Sequence, residues 1–216
     1  MKRLLGGIIA LFMCIPLAAS AEFVGISKDD FKVHYRKQND PLWCWASSAE
    51  MVLSYEGVNL PQERIVERVK GVVVSGTGSP GEMINATNGI FTDVNGKRSV
   101  VSGQLIFGAP LPTVLYNQLK QNKPVILTYQ ASPQFGHAVV LTGIDAIVSD
   151  TGIQILKFYI FDPFAYRMRP NPWGGVTYDF DDSLSYKEYA PQTTPFGIAI
   201  PAGLVTGVIL VNGTNP

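Results

Sequence analysis

The stretch QNDPLWCWASS, residues 38–48, sets a thiol, Cys44, between Trp43 and Trp45. A buried Cys is usually a small apolar filler. A Cys at a helix start can instead be a nucleophile, because the unpaired backbone N–H groups and the helix dipole favour negative charge there. A neighbouring imidazolium favours the reactive thiolate further. Two histidines could supply one, His34 and His137. His137 opens the strand-like run GHAVVLTGI after Gly136, a residue that lets backbone or substrate approach closely. The start of a core strand lies at a sheet rim, where clefts are built. His34 sits among charges in KVHYRK and is expected to be solvated. A working imidazole needs a partner for its other nitrogen. Asp162 ends the next strand-like run, in YIFDPF. Adjacent antiparallel strands set the start of one beside the end of the other, so His137 and Asp162 are expected neighbours. Asp145 is the competing carboxylate, at the opposite end of the strand. Acyl transfer also needs donors for a developing oxyanion. The backbone N–H of Cys44 is one, and Gln38, six residues upstream, offers a side-chain amide.

Other chemistries fit less well. One Cys and two His without close spacing make a weak zinc set, so no metal is expected. No G-x-S-x-G occurs, which removes the serine hydrolase elbow. Residues 72–81, VVVSGTGSPG, contain Gly76-x-Gly78-x-x-Gly81, the dinucleotide-binding glycine pattern. That mechanism needs a strand, a tight turn and a helix facing pyrophosphate. Pro80 falls in the turn and Asn88-Gly89 cuts the helix short, so the stretch reads as a flexible surface loop and no cofactor is expected.

The elements that must hold these side chains change in type along the chain. DFKVHYRK, residues 30–37, alternates apolar and polar and suits a short strand or extended arm. WCWASSAEMVLSYEG then has helical spacing, closed by Gly57, so Cys44 falls in the first turn of a helix of about 13 residues. LPQERIVERVK is a second amphipathic helix with Pro61 near its start. Residues 71–103 are rich in Gly, Ser, Thr and Asn, with a short helix at 81–88, and LPTVLYNQLKQ is a further helix. Beyond Lys123 the period becomes two: PVILTY, GHAVVLTGI and IQILKFYIF read as strands. The tail, PFGIAIPAGLVTGVILV, reads as one or two buried strands, broken by Pro201, Gly203 and Gly207. A helical first half and a strand-rich second half give an α+β class.

Residues 1–21 stand apart. Lys2 and Arg3, an apolar run and Ala19-Ser20-Ala21 form the three parts of a secretory signal peptide, with cleavage expected after Ala21. The apolar run is shorter than the ~20 residues of a membrane span. No stable span is therefore expected after cleavage, and the mature domain is 22–216, secreted or periplasmic. Two Cys are encoded, and Cys14 leaves with the signal, so the mature chain has no internal disulfide. A single thiol in an oxidising compartment is reactive or paired between molecules. Removing Lys2 and Arg3 from 17 basic residues against 17 acidic ones leaves a net charge near −2, with no basic stripe for nucleic acid.

Gln38, Cys44 in CWASS, His137 in GHAVVLTG and Asp162 in FDPF together resemble the papain-like cysteine peptidases. The nearest flavour is the bacterial branch of AvrRpt2-like and C39-like enzymes. The resemblance implies a two-lobed papain-like fold: a helical lobe at about 38–105 carrying Cys44, and an antiparallel β lobe at about 106–216 carrying His137 and Asp162. It implies Cys44 as nucleophile, His137 as general base and acid, Gln38 as oxyanion donor and Asp162 as third member, acting on a protein or peptide substrate. Papain has Asn at the third position, and its C-G-S-C-W motif loses the glycine and the extra Cys here. The expected activity is peptide-bond hydrolysis through a thioester acyl-enzyme. Acyl transfer or deamidation on a protein Gln uses the same chemistry, and an inactive papain-like binding or inhibitor module is the reading from another class.

Overall fold

The computed structural model describes residues 20–214; the expected signal peptide, up to Ala19, lies outside the described residues. The elements run β1 (Glu22–Gly25), α1 (Lys28–Lys32), α2 (Cys44–Tyr55), α3 (Gln62–Lys70), α4 (Pro80–Thr87), β2 (Gly89–Thr92), β3 (Arg98–Phe107), α5 (Pro112–Lys120), β4 (Val125–Gln130), β5 (Gly136–Ser149) and β6 (Gly152–Phe161). They continue with β7 (Tyr166–Pro170), β8 (Val176–Phe180), β9 (Tyr186–Tyr189), β10 (Gln192–Thr194), β11 (Gly197–Ile200) and β12 (Gly203–Thr214).

The sheet follows the order β10-β11-β12-β4-β5-β6-β9, with β1 added on β5, and β3 on β12 carrying β2. Each of these pairings is antiparallel. The β7–β8 hairpin forms a small sheet of its own. Alternation along β5 sends side chains into two cores. Ala138 and Val140 join Trp45, Ala49, Val52 and Ile65 on the side of α1–α4. Val139 and Leu141 join Leu115, Leu119 and Phe158 on the side of α5. Burying a side chain such as Leu or Phe contributes about 1.5–3 kcal/mol, so these cores on the two faces of the sheet fix where its rim lies.

Residues 30–32 lie in α1 rather than in the expected short strand or extended arm. Ser27 accepts a hydrogen bond from the Asp30 N–H and caps α1, whose first turn carries Asp29 and Asp30. Cap and dipole favour a helix over the short alternating pattern, and the fully buried Phe31 anchors it. Residues 89–107, for most of which the sequence offered only a Gly-, Ser-, Thr- and Asn-rich composition, form β2 and β3. The β-branched run around Val100 and Val101 pairs with β12 at Gly213 and Thr214, so long-range pairing overrides the Gly and Asn content. These two strands extend the sheet rather than the helical part.

Candidate active site

Cys44 is the first residue of α2, after Trp43 at the cap position. Its backbone N–H is therefore among the helix-end donors that lack an intrahelical partner. The thiol is half-buried. It borders two cavities of about 380 and 570 Å³, both of which His137 also lines.

The strand register brings His137 and Asp162 together. Val140 pairs with Phe161 across β5 and β6, so the start of β5 and the end of β6 share one rim. His137 Nε2 and Asp162 Oδ1 are 2.7 Å apart. That bond leaves Nδ1 for the thiol side. Burial disfavours the imidazolium, but the Asp162 charge and hydrogen bond outweigh it, and the adjoining Cys44 adds to them, so the His137 pKa is pushed up to about 10. For Asp162, burial pushes the carboxyl pKa up, but His137 and Lys187 together hold it below its ordinary value. The Asp162 backbone is equally fixed: its N–H donates to the Ser185 carbonyl at 2.8 Å, and its carbonyl accepts from the Tyr35 hydroxyl at 3.1 Å.

The other candidates lie elsewhere. His34 is half-buried rather than solvated. Its Nδ1 is 2.9 Å from Ser54 Oγ, and its ring packs on Phe31 and Tyr55. Burial first, then Arg36, lowers its pKa. Asp145, at the far end of β5, accepts from the Tyr159 hydroxyl at 2.8 Å. Gln38 is buried and lines a separate cavity with Phe164, Tyr166 and Tyr178. Its side-chain amide donates to the carbonyls of Asp40 and Pro41, both at 2.8 Å, and its Oε1 has no partner. The Gln38 backbone ties this loop to the Asp162 turn, since its N–H donates to the Pro163 carbonyl at 3.0 Å. Its carbonyl also accepts from the Tyr166 hydroxyl at 2.9 Å.

The tryptophans flanking the thiol do something that spacing alone did not reveal. Trp43 Nε1 donates to the Val74 carbonyl at 3.1 Å and Trp45 Nε1 to the Gly76 carbonyl at 3.0 Å. The Lys70 ammonium holds the Thr77 carbonyl at 3.0 Å. The segment read as a flexible surface loop is thus pinned across the start of α2, and its Thr77 and Gly78 line the cleft. Of the three glycines in the dinucleotide-like pattern, only Gly78 is required sterically: a Cβ there would lie 2.5 Å from Trp45 Cγ, while Gly81 has open space. Gly136 has room as well, its Cβ position being 3.6 Å from the Tyr129 carbonyl oxygen. Gly78→Ala is expected to destabilise the fold by about 1–3 kcal/mol through overpacking against a buried ring. An unchanged denaturant midpoint would show that the segment yields freely.

Among the described residues no group of three or more His, Cys, Asp and Glu is arranged to hold a metal ion, and no helix is long and apolar enough to cross a membrane. The profile of a family described as "Peptidase_C39 like family" matches residues 31–192. The chain belongs to this C39-like peptidase family. It is accordingly a papain-like cysteine peptidase by family, and its helices against a large antiparallel sheet are the α+β class of that fold. The match spans Gln38, Cys44, His137 and Asp162. Among solved structures, this C39-like chain is similar to the peptidase domain of Streptococcus ComA, a bifunctional ABC transporter involved in a quorum-sensing pathway. The two share 16% identity over 84% of this chain and 97% of that domain, with a TM-score of 0.44. No curated protein matches the chain.

Lys187 is the site residue that sequence reading missed. Its Nζ lies 2.5 Å from Asp162 Oδ2. Its strand, β9, pairs with β6 only after the β7–β8 hairpin intervenes, so no local spacing points to it.

Proposed function

We propose that this protein is an exported thiol peptidase that cleaves peptide bonds through a thioester. The observation that carries the reading is the His137–Asp162 pair, 2.7 Å apart, in the cleft that holds a thiol at a helix start. The Cys44 thiolate attacks the peptide carbonyl carbon, forming the C–S bond. The Cys44 N–H stabilises the oxyanion. His137 then gives its proton to the departing amine as the C–N bond breaks. Water enters, His137 takes its proton, and hydroxide displaces the thiolate to release the acid. Asp162 keeps the ring oriented through Nε2. Gln38 joins as second oxyanion donor by turning its amide away from the Asp40 and Pro41 carbonyls, since catalytic hydrogen bonds commonly form only with substrate bound. The peptide lies along the cleft formed by the two cavities beside Cys44. Export rests on the three-part pattern of residues 1–21, with the mature chain beginning at Glu22 in the periplasm or outside the cell.

One measurement reads both parts. The intact mass of the exported protein, taken before and after brief iodoacetamide treatment near pH 6, is expected to show a chain starting at Glu22 that gains one adduct on Cys44. Labelling no faster than in the unfolded chain would make the thiol structural, and retention of Lys2 would remove the signal peptide. A peptide-library profile then separates outcomes for the labelled enzyme: cleaved products support hydrolysis, and deamidated glutamines without cleavage would replace it.

A further inference from the structure

A buried carboxylate is costly unless its oxygens are paired. Asp162 is buried, at 2% exposure, and it has about four acceptor sites to satisfy. Its two oxygens divide the work. Oδ1 accepts from His137 Nε2 and from the Phe164 N–H, both at 2.7 Å. Oδ2 faces Lys187 Nζ at 2.5 Å. Lys187 stands opposite Ile160 in the β6–β9 register, so a strand at the sheet edge delivers the ammonium behind the carboxylate. Its side chain is 28% exposed and lines the larger of the two cavities beside Cys44.

We propose that Lys187 is a positioning residue of the active site, fixing the Asp162 carboxylate for His137 and offsetting its charge. Without a donor at Oδ2, the carboxylate can turn about its χ2 and exchange the oxygen offered to Nε2. With the ammonium in place, Oδ1 stays in line with the imidazole. The paired carboxylate also bears on His137 with less than a full negative charge. The other titratable groups around Asp162 are His137 from β5, Cys44 from α2, Tyr129 from β4, Tyr189 from β9, and Tyr35 and Tyr166. The phenols of all four tyrosines are held above their ordinary value, chiefly by burial, and stay neutral near pH 7. The ion pairs of Asp162 among the described residues are those with His137 and Lys187.

This inference rests on the thiol-imidazole-carboxylate reading above. Its test reads Cys44 alkylation by iodoacetamide against pH, which needs no peptide substrate, so a protein that fails to cleave peptides can still support or overturn it. Removing a positive charge raises the pKa of every group nearby. Lys187→Met is expected to move the acid limb of the alkylation profile up by about one pH unit, and Lys187→Arg to restore it. Lys187→Gln, which keeps a donor but drops the charge, gives the same upward shift should the Met variant not fold. In an Asp162→Asn background the further change Lys187→Met should move the limb by clearly less, because only the direct pull of the ammonium on the thiolate is lost and no carboxylate remains to be held in place. A limb that does not move in Lys187→Met or Lys187→Gln overturns the inference. So does an equal shift with and without the Asp162 carboxylate.

Discussion

His137→Ala is expected to lower peptide hydrolysis by about 10³-fold or more, while His34→Ala keeps hydrolysis within a few-fold of the parent. In the proposed mechanism the imidazole of His137 both protonates the leaving amine and activates water, and general acid–base catalysis at one such group contributes about 10²–10⁴-fold. In that mechanism the same ring also stabilises the attacking thiolate, so its loss acts on two steps. His34 has neither role. Its ring packs on Phe31 and Tyr55 and bonds Ser54, at the C-terminal end of α2, away from Cys44 at its start. Removing it costs stability, about 1 kcal/mol for the lost hydrogen bond, which a denaturant melt would register. Measuring kcat/KM for both variants on a peptide found by library profiling decides the matter. Survival of hydrolysis in His137→Ala would remove the imidazole from the reaction.

The second large effect is expected at Asp162, and it should differ sharply between two substitutions. Asp162→Ala leaves the Lys187 ammonium and the His137 ring without their shared partner in a buried position. Breaking a buried pair in this way costs about 3–5 kcal/mol, and hydrolysis should fall with it as the ring loses its orientation. Asp162→Asn retains an oxygen that can accept from His137 Nε2, so part of the activity should survive. The sign of its pH effect follows from charge. Removing the carboxylate lowers the proton affinity of His137 from its raised value near 10, so the basic limb of kcat/KM moves to lower pH. The stability that the ionised carboxyl contributes is present above the unfolded value of about 3.9. It fades as the pH falls through the lower folded value, so the parent and the Asn variant should converge in stability in acid. A wholly inactive yet folded Asn variant would assign Asp162 a different role.

The two predictions draw on different parts of the chain, and those parts differ in how legible they were. Cys44 at a helix start, His137 at a strand start and Asp162 at the end of the next strand follow from local periodicity and from the rule that consecutive antiparallel strands share their ends. The sequence also separated His34 from His137, although it misjudged His34 as solvated. An eight-residue polar-apolar alternation cannot reveal that Ser27 caps a helix around Phe31. The strands at 89–107 were hidden because Gly and Asn content is local, whereas their pairing with β12 is not.

By itself the sequence indicated the candidate residues of the chemistry, the helix and strands that carry them, and the papain-like superfamily. Tertiary structure alone decided what surrounds them. Trp43 and Trp45 reach some 31 residues along the chain to pin the Val74 and Gly76 carbonyls beside the start of α2. Gln38, placed by spacing as a free amide, spends its hydrogens on its own loop. Lys187 reaches Asp162 from an edge strand beyond an intervening hairpin. Periodicity specifies which face a side chain takes within its own element. Partners that come from distant segments are selected by the need to satisfy buried polar groups once the chain has packed, and that need has no local signature.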